Sequence, residues 1–169
     1  MKKLKPIFYL IYAAIIAVGV ALDQLSKLLV STYLKPVGSV PLWRGVLHLT
    51  YVENDGAAFG MLDDHRWVFM VISTVAIVAL SFYLFAGFAE GWMYAAAVAM
   101  IISGGIGNMI DRLAYGFVVD FIDFCLINFA VFNIADCFVC IGAGLMILAL
   151  VRDIVREARS KGGQDGKDD

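Results

Sequence analysis

Two aspartates in apolar surroundings are the residues best suited to chemistry in this chain. Asp120 lies in the segment VVDFI and Asp136 in IADCF, and neither has a Lys or Arg within four positions. Burial raises the pKa of a carboxyl group, and a second carboxylate nearby raises it further. Two carboxyl groups that share one proton can activate water and protonate a leaving amine. The sequence therefore indicates a dyad, the alternative being two unrelated carboxyls that are each satisfied by a backbone or amide partner.

Other polar residues interrupt or border apolar stretches in the same way. They are Asp23, Lys27, Asn108, Asp111, Arg112 and Asn133. Charges inside a membrane-spanning segment usually face the bundle interior and are paired. Asp23 with Lys27 and Asp111 with Arg112 therefore fit structural ion pairs or interfacial anchors as well as they fit a functional site. Gly104, Gly105 and Gly107 should let their helix approach a neighbour or a substrate closely.

The elements that position these residues are predicted from composition and apolar runs. The chain of 169 residues is 62% hydrophobic and 17% charged, with a mean hydropathy of +0.84, whereas a soluble domain is about 45–50% apolar and about 25% charged. Because about 20 apolar residues cross a bilayer as a helix, we expect an all-α membrane protein of one domain. Its four transmembrane helices are predicted at about residues 7–29, 67–88, 91–112 and 134–157.

Lys and Arg collect at both ends of the chain, which predicts that both termini are cytoplasmic. Lys2, Lys3 and Lys5 precede the first span, and five basic residues lie in the last turns of the fourth span and in the tail: Arg152, Arg156, Arg159, Lys161 and Lys167. The first span also has features of a signal peptide, but it is long and no clear cleavage site follows, so we expect it to be retained. This orientation brings all the polar residues above to the outer membrane face. The polar, Gly-rich tail at about 161–169 is predicted to be disordered.

The two outer connections differ in character. Residues 31–66 form an external segment with turn residues and a strand-like alternation over 46–53. Residues 113–132 are almost wholly apolar, so we expect them to lie along the membrane surface or to pack on the bundle. The net charge of −2 provides no basic surface, which argues against a nucleic-acid partner.

Five segments, in order along the chain, resemble the lipoprotein signal peptidase family (signal peptidase II), the membrane aspartic endopeptidases of bacteria. The segments are DQLSK at 23–27, NDGAAF at 54–59, GGIGNMIDR at 104–112, VVDFI at 118–122 and FNIAD at 132–136. Together they span nearly the whole chain. One departure is the acidic Asp55, which could alter the charge at the rim of the site.

This resemblance implies that Asp120 and Asp136 are catalytic. It implies a substrate-binding or supporting role for further residues, namely Asp23, Lys27, Asn54, Gly56, Asn108, Arg112 and Asn133. The implied substrate is a prolipoprotein that carries diacylglycerol on a cysteine, cut just before that cysteine at the outer face of the bacterial inner membrane. Membrane lipid is the other expected partner, and the protein is expected to be a monomer. Residues 31–66 would form a small external β segment, and about 121–131 a short surface helix.

Alternative chemistries remain open. His48 and His65 lack the paired spacing of metal ligands, so no metal or other cofactor is expected. Cys137 and Cys140 form a C-x-x-C, which leaves a disulfide oxidoreductase as a rival, although there is no second pair to relay electrons and buried free thiols are the simpler expectation. A small transporter or assembly factor with a buried proton relay is a second rival.

Overall fold

The structure is a computed structural model that describes residues 6–56 and 66–162. Each predicted apolar stretch lies in a helix. The helices are α1 (Pro6–Leu29), α2 (Arg66–Phe85), α3 (Trp92–Ala114) and α4 (Ile134–Gly162). Three helical stretches are long and apolar enough to cross a membrane, Ile7–Leu34, Trp92–Ala114 and Ile134–Ser160, and α2 contributes a shorter apolar stretch, Met70–Phe85.

The outward faces of the helices carry large apolar side chains. Leu10, Leu28, Phe82 and Ile147 are each more than 60% exposed. A water-soluble protein rarely exposes apolar surface on this scale, whereas lipid tails accept it readily. The prediction of a mainly helical membrane protein with a small sheet is confirmed.

Several segments end elsewhere than predicted or fall outside the described residues. α1 continues into a π-helical turn, Val30–Leu34. α4 extends through Gly162, so residues 161–162 are helical where disorder was expected to begin. Residues 163–169 of the predicted tail lie outside the described part of the chain, as do residues 57–65 of the external segment, including His65.

Three antiparallel strands form one sheet in the order β1–β2–β3. They are β1 (Ser39–Trp43), β2 (Leu47–Asn54) and β3 (Val118–Asp123). β2 confirms the strand predicted from the alternation over 46–53. β3 was not predicted, because Val118 to Phe121 are all buried and therefore show no polar–apolar alternation. The pairing of β2 with β3 joins two segments that are distant in sequence.

The short surface helix implied for about 121–131 is wrong in extent. β3 continues to Asp123, and only a three-residue 3₁₀ turn follows, Cys125–Ile127. Asn128 ends this turn in the left-handed conformation, with φ of 50°, which Asn adopts more readily than most residues. Phe132 then pairs with Ile122 and leads the chain into α4.

α3 is the central helix of the bundle and packs on α1, α2 and α4. One apolar cluster, which includes Tyr12, Leu84, Val98 and Ile102, joins α1, α2 and α3. A second cluster, Val30, Leu34, Val119 and Phe121, packs β3 against the end of α1. The sheet is thus attached to the bundle at the end of α1, where α3 also ends and α4 begins.

Glycines in α3 permit the close approach of α4, as the sequence predicted. A Cβ at Gly104 would collide with the carbonyl oxygen of Ala135 and lie 2.7 Å from Val139 Cγ2. A Cβ at Gly107 would lie 2.5 Å from Asp23 Oδ2. Backbone atoms and buried charged groups cannot easily move aside. These two positions therefore require glycine for packing.

Replacing Gly104 by Ala should separate α3 from the start of α4 and lower the thermal midpoint of unfolding in detergent. The matched control is Gly144→Ala in α4, where an added Cβ meets nothing within 4 Å. Since Ala favours helix by about 1 kcal/mol over Gly, the control should keep or raise the midpoint. Equal midpoints for the two variants would contradict the packing argument.

Candidate active site

A buried ionic cluster, defined as Asp23, Lys27 and Asp111, lies where α1 and α3 end. Lys27 Nζ is 2.9 Å from Asp23 Oδ2 and 2.9 Å from Asp111 Oδ2. The three residues are 0%, 3% and 1% exposed. Asp23 does pair with Lys27, as one reading of the sequence expected, but among the described residues Asp111 pairs with Lys27 rather than with Arg112. Gln24, which the sequence analysis did not single out, donates to Asp111 Oδ1 at 2.9 Å.

The two carboxylates of the ionic cluster also bind backbone N–H groups next to the two candidate catalytic residues. Ala135 N donates to Asp23 Oδ1 at 2.9 Å, one residue before Asp136. Val119 N donates to Asp111 Oδ2 at 3.1 Å, one residue before Asp120. The cluster therefore fixes the backbone on which each aspartate is carried.

Asn133 connects the two aspartates directly. Its Nδ2 donates to Asp120 Oδ1 at 2.6 Å, and its backbone N donates to Asp136 Oδ2 at 3.1 Å. In return, Asp136 N donates to Asn133 Oδ1 at 3.0 Å. This reciprocal arrangement is a capping box at the start of α4, with Asn133 as the N-cap. The local sequence N-x-x-D thus sets the position of Asp136.

Asp120 is almost fully buried and accepts hydrogen bonds at both oxygens. Besides the bond from Asn133, Asn54 Nδ2 donates to Asp120 Oδ2 at 2.8 Å. Gly56 N donates to Asn54 Oδ1 at 3.1 Å and so orients that amide. Burial raises the pKa of Asp120 from 3.8 to about 6, against the opposing effect of the Asn54 bond; the charge of Asp136 raises it as well.

Asp136 is held from α3. Asn108 Nδ2 donates to Asp136 Oδ1 at 2.8 Å. Asn108 Oδ1 in turn accepts from Lys27 Nζ at 2.9 Å and from Asn133 Nδ2 at 3.0 Å. Two donors on one oxygen fix the orientation of this amide, because only its oxygen can accept. Asn108 therefore fixes the position of the Asp136 carboxyl relative to Lys27.

Asp120 and Asp136 both line one cavity of about 520 Å³. Asn54, Gly56, Asn108 and Arg112 also line it. Its remaining wall is mostly apolar and comes from residues 129–132 and from the start of α4: Phe129, Ala130, Val131, Phe132, Cys137, Cys140 and Ile141. A cavity of this size, with polar groups converging on an apolar wall, is typical of a ligand site.

All nine predicted site residues thus lie in the cavity wall or directly behind it. Asp23, Lys27 and Asn133 form the buried layer behind. Residues 129–132 were not predicted to line the cavity, because nothing in an apolar segment distinguishes a cavity wall from a membrane contact.

Three possible metal ligands lie together at the other end of β3, although no metal site was expected. They are His48, Asp123 and Cys125.

Comparison with known proteins agrees with this geometry. The family model described as signal peptidase (SPase) II matches residues 15–152, which is well over half of the chain. The chain belongs to the signal peptidase II family. It is 49% identical over 129 residues to a lipoprotein signal peptidase of Caldanaerobacter subterraneus, covering 76% of this chain and 88% of that one. It is 36% identical over 154 residues to that of Halalkalibacterium halodurans, covering 90% and 99%.

Two solved structures described as bacterial membrane enzymes have a similar fold. One has a TM-score of 0.78 at 32% identity, covering 85% of this chain and 88% of the other. The second has a TM-score of 0.74 at 32% identity, covering 84% and 93%. Family membership makes this chain an aspartic peptidase of a bacterial membrane that removes signal peptides from prolipoproteins.

Replacing Lys27 by Met should strongly destabilise the protein. Removing one partner of a buried ionic group leaves uncompensated charge and costs about 3–5 kcal/mol; here two carboxylates lose their shared cation. Lys35→Met is the matched control, since Lys35 forms an exposed pair with Glu53 and exposed pairs contribute little. Thermal unfolding in detergent should show a large loss for the first variant and little for the second. Similar midpoints for both would contradict the assigned role of Lys27.

Proposed function

We propose that Asp120 and Asp136 form the catalytic dyad that cleaves the signal peptide from its substrate. The observation that carries this proposal is that both carboxyls line one cavity and share Asn133 as a hydrogen-bond partner. Asn54 and Asn108 orient the two carboxyls. Asp23, Lys27 and Asn133 support them from behind, and Gly56 and Arg112 contribute to the wall that faces the substrate.

Asp120 carries the shared proton in this proposal, and Asp136 is the ionised partner. Burial and the charge of Asp136 both raise the pKa of Asp120, whereas Asn54, Asn133 and the charge of Lys27 lower it, with a net value of about 6. Asp136 lies in the first turn of α4, where the helix dipole and the free N–H groups favour a negative charge.

Hydrolysis then follows from these protonation states. Asp136 takes a proton from a water molecule, whose oxygen attacks the scissile carbonyl carbon, while Asp120 donates its proton to the carbonyl oxygen. When the tetrahedral intermediate collapses, the C–N bond breaks and the leaving amine takes the proton held by Asp136, while one hydroxyl group of the intermediate returns a proton to Asp120. The products are the free carboxylate of the signal peptide and the new amino terminus of the lipoprotein.

The apolar half of the cavity suits a substrate that is itself held in the membrane. We assign the cut to the bond before a cysteine that carries diacylglycerol, with the acyl chains lying in the surrounding lipid. We also propose four spans, with α2 as the shorter one, so that both termini lie in the cytoplasm and the cavity lies at the outer face of the inner membrane. The basic residues at both ends of the chain support this orientation. The cavity that holds both aspartates is lined by residues of one chain, which is consistent with a monomer.

Asp120→Asn and Asp136→Asn should each reduce cleavage of a lipid-modified prolipoprotein by at least about 10³-fold, since general acid–base catalysis contributes about 10²–10⁴-fold at each step. The isosteric control is Asp153→Asn, on an exposed residue near the other end of α4. Gel analysis of purified enzyme in lipid should show the released peptide with wild type and control only. A near-normal rate of cleavage in either dyad variant would contradict the assignment of the dyad.

The pH profile tests which aspartate holds the proton. The hydrogen bond from Asn54 favours the ionised form of Asp120, so removing it in Asn54→Ala should raise the pKa of Asp120. The alkaline limb of kcat/KM should then move to higher pH, by about one pH unit, while kcat falls. Glu53→Gln, on the same strand but paired with Lys35, should leave the limb in place. A shift of the alkaline limb to lower pH in Asn54→Ala would mean that a group other than Asp120 holds the proton.

Thiol labelling separates this function from the redox rival. Cys137 and Cys140 line the cavity, so a bulky maleimide there should block a peptidase by occupying the site. Cys137→Ser/Cys140→Ser should cleave substrate and resist the label, because serine preserves the shape of the cavity. A disulfide oxidoreductase would lose its activity in that variant without any label. Loss of peptide cleavage in the unlabelled double variant would contradict the passive role assigned to these thiols.

A further inference from the structure

A second cluster of reactive side chains lies at the end of β3 that is remote from the dyad. His48 of β2 is the cross-strand partner of Asp123, and Cys125 follows in the 3₁₀ turn. One ligand atom from each of the three side chains lies within 4.8 Å of the other two. Among residues 6–56 and 66–162, this is the group of metal-binding side chains that meets this distance.

We propose that His48, Asp123 and Cys125 form a binding site for a zinc ion, separate from the peptidase site. Imidazole, thiolate and carboxylate are the three ligand types that zinc takes, at about 2.0–2.3 Å each. Ligands around a tetrahedral ion lie closer together than 4.8 Å, and small rotations of three partly exposed side chains close that gap. Water occupies the fourth position.

The surroundings of Asp123 already orient its carboxylate. Thr50 Oγ1 donates to Asp123 Oδ2 at 2.8 Å, and Thr50 is itself hydrogen-bonded to Ser39 Oγ at 2.9 Å. Hydrogen bonds of this kind from neighbouring residues orient ligands and tune metal affinity. Within the described part of the chain, Oδ1 of Asp123 is the oxygen available to bind the ion.

Charge and protonation are consistent with a divalent cation. Zinc displaces the proton of the Cys125 thiol into solvent, and the two anionic ligands then neutralise the ion. The imidazole of His48 accepts a long hydrogen bond of 3.3 Å from Gly45 N. This bond is released on binding, because a metal-bound neutral imidazole has no free acceptor, and Gly45 lies in an exposed turn where water can replace it.

Zinc binding at this site would affect the structure near the cavity wall. The ion would link β2, β3 and the 3₁₀ turn, from which the chain leads directly to residues 129–132 of the cavity wall. Among the described residues, a hydrogen bond from Leu126 N to Val46 O joins this turn to the residue just before β2, and at 3.5 Å it is weak. A metal bridge would thus add a stronger restraint between the 3₁₀ turn and β2.

Cobalt and zinc binding to the tag-free protein in detergent test the site. The protein used is Asp120→Asn/Asp136→Asn, so that neither the dyad nor its activity can contribute. One equivalent of Co²⁺ should bind, with thiolate-to-cobalt charge-transfer absorption, and Zn²⁺ should displace it. His48→Ala, Asp123→Asn and Cys125→Ser should each weaken binding by at least about 100-fold, and Thr50→Val by about 10–100-fold. The matched controls His65→Ala, Asp153→Asn and Cys140→Ser should bind as the parent does.

Two further readouts exclude a folding defect. Without metal, the three ligand variants should unfold at the same temperature as the parent, whereas only the parent should gain stability with zinc. Hydrogen exchange should slow with zinc around residues 46–50 and 123–128 of the parent. The proposal is overturned if the parent binds no stoichiometric metal, or if the absorption persists in Cys125→Ser, which would assign it to Cys137 and Cys140.

Discussion

The compensation of one buried cation, Lys27, is the constraint on which the rest of the structure depends. An ammonium group in an apolar bundle is costly unless it is paired and hydrogen-bonded. Lys27 meets this requirement with Asp23, Asp111 and Asn108, from α1 and α3. The same two carboxylates accept hydrogen bonds from the backbone of β3 and α4. A single ionic cluster therefore links α1 to α3, β3 and α4, three elements that carry residues of the cavity wall.

This arrangement explains how two carboxyls on different elements are held together in a small protein. Asp120 is carried by an extended strand and Asp136 by the first turn of a helix, and each is fixed through the preceding residue. Asn133 then connects both side chains, while Asn54 and Asn108 satisfy their outer oxygens. Within the described part of the chain, every donor to these two carboxyls is a neutral amide, so no hydrogen-bond donor cancels their negative charge.

Much of this could be predicted from residue types and spacing. The four apolar stretches predicted the helices, and the isolated Asp120 and Asp136 predicted the pair. The i, i+4 spacing of Asp23 and Lys27 predicted their contact, but not the role of Asp111, since its partner lies on another helix. β3 was not predicted, because both its faces are buried and its sequence shows no alternation. The proximity of His48 to Cys125 depends on the pairing of β3 with β2, so it was not predicted either. Contacts between distant segments leave no periodic signal in one sequence.

The most direct measurement is the titration of Asp120 by ¹³C-carboxyl NMR in detergent, with the signal assigned from its loss in Asp120→Asn. The account predicts a midpoint near 6 in the wild type. It also predicts a lower midpoint in Asp136→Asn, because the neighbouring negative charge is removed. A midpoint near the ordinary value of 3.8 in the wild type, or one that does not respond to the change at Asp136, would contradict a shared proton.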